Sequence, residues 1–322
     1  MRAIRVHEPG GPEKLTLDEI PVPEPKAGQA LIRIAAAGVN FIDIYHRTGL
    51  YKLPLPFTPG GEAAGTVEAV GPEVERVKPG DRVTFAGPPG GYAEYQVVPA
   101  DVLIPVPAGL DLKKAAAVML QGMTAHYLTH STYPLKPGDI CLVHAAAGGT
   151  GRLIVQMAKM LGAQVIGTAG TAEKAREACL IGADEAILYD EKDFEAETRR
   201  LTDGRGVDVV YDSVGKSTWE KSLNCLRQRG MMVSFGNASG AVDPIAPLVL
   251  NQKGSLYLTR PKLGDYIGTP EELKWRAGDV LGWVASGKLR LKIDGEYPLE
   301  QAGRAHEDLA SRRTSGKLLL IP

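Results

Sequence analysis

The sequence predicts an α/β fold, with a doubly wound parallel sheet in one domain and a second domain rich in short strands. Three observations carry that reading. Beyond Ile140, apolar strand-like runs alternate with helical patterns, which implies a parallel sheet covered on both faces. Ahead of about residue 120, short β-branched runs are divided by Pro and Gly. The chain has 322 residues, enough for about two domains.

Taken in order, residues 1–6, 30–35, 65–70, 82–85 and 92–98 carry β-branched or alternating apolar side chains bounded by turn residues. Gly71-Pro72, Lys78-Pro79-Gly80-Asp81 and Gly87-Pro88-Pro89-Gly90-Gly91 punctuate them. This part reads as a partly open barrel. Asp111 is a candidate N-cap for a helix over 112–133. Strands are then predicted at 140–145, 164–168, 186–189, 207–212, 231–235 and 255–259. Helices fall between them at 151–161, 172–180, 194–201 and 217–226. The tail adds a helix over 270–285, a strand over 293–297, a helix over 299–310 and a last strand over 316–321. It can return to the first domain, leaving the sheet domain as an insertion.

Lys and Arg number 37 against 38 Asp and Glu, a formal net charge of −1. That balance carries no footprint for nucleic acid or an anionic membrane, and neither is expected as a partner. No run of about 18 apolar residues suggests a membrane span. The N-terminal residues are too polar for a signal peptide, so the cytoplasm is the expected location. Cys141, Cys179 and Cys225 are too few for a disulfide framework, and their apolar neighbours predict buried, inert thiols. The 38 Gly and 23 Pro exceed their usual joint share of about 12%, which points to turns or close backbone–ligand approach.

The most informative stretch is I-C-L-V-H-A-A-A-G-G-T-G-R-L over 140–153. An apolar strand enters a small-residue turn that opens a helix. Read against G-x-G-x-x-G, Ala146, Gly148 and Gly151 take the three key positions. The second lets the backbone approach a pyrophosphate, and the third lets helix and strand pack closely. The helix N-terminus offers unpaired N–H groups to the phosphates. Ala146 departs from the pattern, because the first position shapes the turn. An NAD enzyme usually places Asp or Glu after the next strand, to hold the ribose 2′-hydroxyl. Here Thr168-Ala169-Gly170-Thr171 stands there, with Lys174 on the following helix. No carboxylate and a nearby cation favour a 2′-phosphate, hence NADPH. The hydroxyls of Thr168 and Thr171 can add donors. His126 and His130 have a zincin-like spacing, but Tyr127 stands in place of the general-base Glu, and they read as incidental helix-surface histidines.

Several segments carry a family resemblance: A-G-V-N-F-I-D over 37–43, P-G-G-E-A-A-G over 59–65 and V-H-A-A-A-G-G-T-G over 143–151. V-Y-D-S-V-G over 210–215, S-F-G-N over 234–237 and L-T-R-P over 258–261 continue it in order. The chain resembles the zinc-free quinone oxidoreductases, the zeta-crystallin branch of the medium-chain dehydrogenase/reductase superfamily. The resemblance implies a GroES-like catalytic domain from residues 1–122 and 262–322. It implies a Rossmann NADPH-binding domain over 123–261, a cofactor in the cleft between them, and a homodimer.

By the same resemblance, Asn40, Phe41, Ile42, Asp43 and Tyr45 lie beside the nicotinamide and its ribose. Asn40 can hydrogen-bond substrate or cofactor, Asp43 can hold a ribose hydroxyl or a water, and Tyr51 is a candidate wall for the quinone. Tyr127, Gly149 and Thr150 line the pyrophosphate. Gly170 and Lys174 hold the 2′-phosphate, with Tyr189 near the adenine. Ser213 and Phe235-Gly236-Asn237 end two later strands, where doubly wound sheets bind ligands. Arg260 and Arg312 are read either as cofactor contacts or as structural ion pairs. Zinc members place a Cys where this chain has Asn40 and Gly-His-Glu where it has Gly60-Gly61-Glu62, so no metal is expected. The implied activity is metal-free transfer of reducing equivalents from NADPH to a quinone. The alternatives are reduction of an enone or enal, and a non-catalytic, crystallin-like NADPH-binding protein.

Overall fold

In the computed structural model, which describes residues 1–311 and 313–322, the short runs of the first part become an antiparallel sheet. They belong to a unit made of Met1–Met123 and Tyr266–Pro322. Arg2–Arg5 (β1) pairs with Thr16–Glu19 (β2) as a separate ribbon. Gln29–Val39 (β3), Glu62–Val70 (β4), Arg82–Ala86 (β5), Tyr95–Pro99 (β6) and Ile104–Pro105 (β7) form the main sheet with the tail strands Ile293–Pro298 (β14) and Lys317–Ile321 (β15). The order is β14-β15-β3-β4-β5-β7, with β6 also on β3. Ile32, Ile34, Val39, Val67, Phe85, Leu318 and Leu320 fill its core.

Three elements of this part are absent from the sequence reading: β2, the short strand β7 and helix α1, Phe41–Arg47, whose aromatic and β-branched residues have modest helix propensity. Its start is fixed by Asp43, three residues in, which accepts from the Asn40 N–H at 2.9 Å. Helix α2, Leu112–Tyr127, stops earlier than predicted; a π-turn over Leu128–Thr132 follows it, ahead of Pro134.

The second unit, Thr124–Asp265, is built on six parallel strands. They are Ile140–Val143 (β8), Gln164–Ala169 (β9), Glu185–Leu188 (β10), Val207–Asp212 (β11), Leu226–Ser234 (β12) and Tyr257–Thr259 (β13). Their order, β10-β9-β8-β11-β12-β13, is that of the dinucleotide-binding doubly wound fold. Helices α3 (Gly149–Met160), α4 (Ala172–Leu180), α5 (Phe194–Leu201) and α6 (Trp219–Cys225) make the crossovers. The strands are near-continuous apolar runs because both faces are covered; every residue of β11 is buried. Leu142, Ile166, Ile187, Val210, Leu223 and Met232 form the core. Strand order reverses between β8 and β11, and doubly wound sheets bind ligands outside the carboxyl ends at such a point. Cys141 and Cys225 are buried, but Cys179 is exposed on α4, which corrects its predicted burial. Among the described residues no helix is long and apolar enough to cross a membrane.

Candidate active site

In the first unit the chemistry gathers where β3 ends and α1 begins. Asn40 lies between a carboxylate and an ammonium. Its Oδ1 accepts from Lys317 Nζ at 2.7 Å, and its Nδ2 donates to Glu62 Oε2 at 2.9 Å. Longer contacts complete the amide: Nδ2 to the Gly38 carbonyl at 3.3 Å, and Gln121 Nε2 to Oδ1 at 3.4 Å. Lys317 and Glu62 form an ion pair at 2.5 Å, with side chains 3% and 0% exposed. The other Glu62 oxygen accepts from the Leu120 N–H at 2.7 Å. A charged pair this deeply buried is retained only when its geometry and hydrogen bonds offset desolvation.

Asp43 is fully buried behind this group. It accepts from the N–H groups of Asn40 (2.9 Å) and Gly61 (3.3 Å) and from the Tyr92 hydroxyl (2.9 Å). Burial raises its pKa to about 6, against the pull of those hydrogen bonds and of Lys317. A polarised chain runs on from it. Arg47, always a donor, gives a hydrogen to His306 Nδ1 at 3.1 Å. The His306 Nε2–H then faces the Tyr92 oxygen at 3.1 Å, and Tyr92 donates to Asp43. Burial, and then Arg47, lower the His306 pKa to about 3, so the ring is neutral as this chain requires. Phe41 and Tyr45 on α1 form an aromatic group with Tyr51; the Tyr45 and Tyr51 rings meet edge-on at 5.3 Å, and Tyr51 is exposed.

In the second unit the predicted residues collect along the carboxyl edge of the sheet. After β8 the chain turns at Ala145, whose φ is +51°, and Gly148 donates back to the Ala145 carbonyl at 2.8 Å. The left-handed residue of the turn is thus Ala145 and not Ala146, where the glycine pattern put the turn. Gly151 is indispensable to the geometry: a Cβ there would lie 2.2 Å from the Ala145 oxygen. The N–H groups of Gly149, Thr150 and Gly151 open α3 ahead of any intrahelical acceptor. These features suit a pyrophosphate.

At the end of β9, Thr171 caps α4 by accepting from the Lys174 N–H at 3.2 Å, which leaves its own hydroxyl hydrogen to give. Tyr189 lies against Gly170, its hydroxyl 2.7 Å from where a Cβ would sit. Thr168 is different. Asp212 accepts from Thr218 and Ser222, so the Ser222 oxygen takes the His144 Nε2–H (2.9 Å) and His144 Nδ1 takes the Thr168 hydroxyl hydrogen (3.0 Å). The Thr168 donor is therefore spent inside the protein, correcting its suggested use on a phosphate. Asp212 also accepts from the Val214 and Gly215 N–H groups, setting the loop that starts at Ser213. Arg260 donates to Ser234 Oγ, to the Gly236 carbonyl and to the Asn237 amide oxygen at 3.1–3.2 Å, which ties it to the Phe235-Gly236-Asn237 turn.

Ile42 lies half-buried on α1, and Tyr127 is buried near the end of α2. His126 is fully buried and stacks on His130 at 4.1 Å, so the helix-surface reading fails for it. Arg312 lies outside the described residues. Sequence reasoning missed Lys317, Tyr92, His306 and Arg47. The one signal for Lys317 was a charge opening an otherwise apolar strand, K-L-L-L-I. Among the described residues no group of three or more His, Cys, Asp or Glu is placed to hold a metal ion.

Residues 26–108 match the family model for the alcohol dehydrogenase GroES-like domain, and 149–274 the model for zinc-binding dehydrogenases. A quinone oxidoreductase of Pseudomonas aeruginosa is 49% identical over 315 residues, 97% of each chain. A 2-haloacrylate reductase of a Burkholderia species is 44% identical over 98% of each. The crystal structure of Escherichia coli quinone oxidoreductase complexed with NADPH matches with a TM-score of 0.98 and 47% identity, over 100% of both chains. A GroES-like unit and a Rossmann unit in one chain define the medium-chain dehydrogenase/reductase class. Within that class, the chain belongs to the quinone oxidoreductase family.

Proposed function

We propose that this protein is a zinc-independent NADPH:quinone oxidoreductase. The observation that carries the reading is the nucleotide edge of the second unit: a close-packed turn at Gly148–Gly151, Gly170-Thr171 and no carboxylate directly at the end of β9, and Lys174 in the first turn of α4. The NADPH-bound relative, matched along its whole length, supports it.

In this reading Gly148, Gly149, Thr150 and Gly151 receive the pyrophosphate, with Tyr127 alongside. Gly170, Thr171 and Lys174 hold the 2′-phosphate, with Tyr189 near the adenine. Ser213, the Phe235-Gly236-Asn237 turn and Arg260 serve the nicotinamide end, and Phe41 and Ile42 are assigned to the same cofactor. Bound NADPH supplies a hydride to the acceptor. A quinone is a strong electrophile whose reduced anion is delocalised, so the protein mainly orients it and supplies a few hydrogen bonds. Tyr45 and Tyr51 form an aromatic wall for a flat acceptor. The Asn40 Nδ2 hydrogen on the long 3.3 Å Gly38 contact is the one an acceptor oxygen can share. Asp43 holds the Asn40 and Gly61 backbone behind it.

Residues 1–122 and 262–322 form the catalytic domain in this proposal, and 123–261 the NADPH-binding domain. We place the protein in the cytoplasm and as a homodimer. The exposed edge strand β13, which presents Tyr257 and Leu258, supports association through the Rossmann sheet. A second reading, reduction of a conjugated carbonyl, is favoured by the 2-haloacrylate reductase among the relatives. Comparing kcat/KM for quinones with that for α,β-unsaturated aldehydes and haloacrylates decides between them. Quinones ahead supports the proposal; unsaturated carbonyls well ahead replaces it with the second reading.

A further inference from the structure

The ion pair between Lys317 and Glu62 joins β15 to the start of β4 and encloses Asn40. Antiparallel pairing of Leu318 with Val39 brings Lys317 opposite Asn40. Room for the pair comes from Gly38, where a Cβ would lie 2.2 Å from Glu62 Oε2 and 2.7 Å from Lys317 Cε. Methionine fills a lysine's volume without desolvating a charge, so packing alone does not call for an ammonium here. What the ammonium adds is orientation. With Lys317 on Oδ1 and Glu62 on Nδ2, the Asn40 amide has one stable sense. Turned over, it would set oxygen against carboxylate and N–H against ammonium.

We propose that Lys317 is a positioning residue for acceptor reduction: it locks the Asn40 carboxamide so that an Nδ2 hydrogen is held ready for the acceptor oxygen. The proposal rests on the quinone-reductase reading. It also assigns the Glu62 carboxylate its counter-charge, so that no bare negative charge sits beside an acceptor becoming an anion.

The test uses the full-length protein, Lys317→Met and the double variant Lys317→Met/Glu62→Gln, which leaves no unpaired buried charge. Three quantities are read: the thermal midpoint, the NADPH dissociation constant, and the single-turnover rate of NADPH oxidation by a benzoquinone. Lys317→Met is expected to lose about 10- to 100-fold in rate with unchanged NADPH affinity, the scale set by a displaced orienting group. The double variant is expected to regain the thermal midpoint but not the rate. A rate that returns with the midpoint, or a native rate in either variant, overturns the proposal. If the single variant does not fold, the double variant decides alone. Wild-type protein that reduces no quinone would instead count against the functional reading.

Discussion

Asp43 and His306 sit at two points of one hydrogen-bonded chain and titrate in opposite senses. Folded Asp43 has its pKa raised from 3.8 to about 6 by burial, so between those values the folded protein holds a proton that the unfolded chain has lost. Asp43 therefore lowers stability as pH rises through that window. His306, lowered from 6.5 to about 3, does the reverse: the unfolded chain is protonated first, and stability rises with pH from about 3 to 6.5. Each slope is about 1.4 kcal/mol per pH unit, so between pH 4 and 6 they largely cancel. Asp43→Asn removes one of them. Urea unfolding across that range is expected to show stability climbing with pH in the variant and a flatter profile in the wild type. A variant as flat as the wild type would contradict the linkage. Lys174 gives a second prediction at this scale. Charge-assisted hydrogen bonds contribute about 1.5–3 kcal/mol, so Lys174→Ala should weaken NADPH binding about 10- to 100-fold and NADH little. Equal weakening, measured by fluorescence titration, would place the 2′-phosphate elsewhere.

Among the elements, the turn into α3 was readable and α1 was not, for physical reasons. An apolar strand, a small-residue turn and an amphipathic helix are local signals, and Gly151 marks the close approach by lacking a side chain. Gly151→Val would drive its side chain into the Ala145 carbonyl, already only 2.2 Å from a Cβ. The variant should keep its far-ultraviolet circular dichroism and lose NADPH affinity; native affinity would mean that the turn yields. By contrast, α1 depends on a cap at Asp43 that outweighs poor intrinsic propensity. β12 begins five residues before its predicted start because Arg227, Gln228 and Arg229 read as a polar break. Lys317 was hidden for another reason: a charge at a strand end reads as solvated until Glu62, far away in the chain, is known to face it.

At the scale of the molecule, both ends of the chain complete one unit, and the nucleotide-binding sheet is inserted between them. The alternation of strands and helices disclosed the sheet, because buried parallel strands are apolar throughout. The first unit was legible as β-rich but not in its register, since β3 pairs with strands before and after the insertion. The balanced charge of −1 accords with a small-molecule partner rather than a polyanion. The chain moves reducing equivalents from NADPH to a quinone. Mixing the protein anaerobically with NADPH and a benzoquinone, and following loss of NADPH absorbance, tests it most directly. Enzyme-dependent oxidation is expected, much faster with NADPH than with NADH. Tight NADPH binding with no oxidation by any quinone would contradict it.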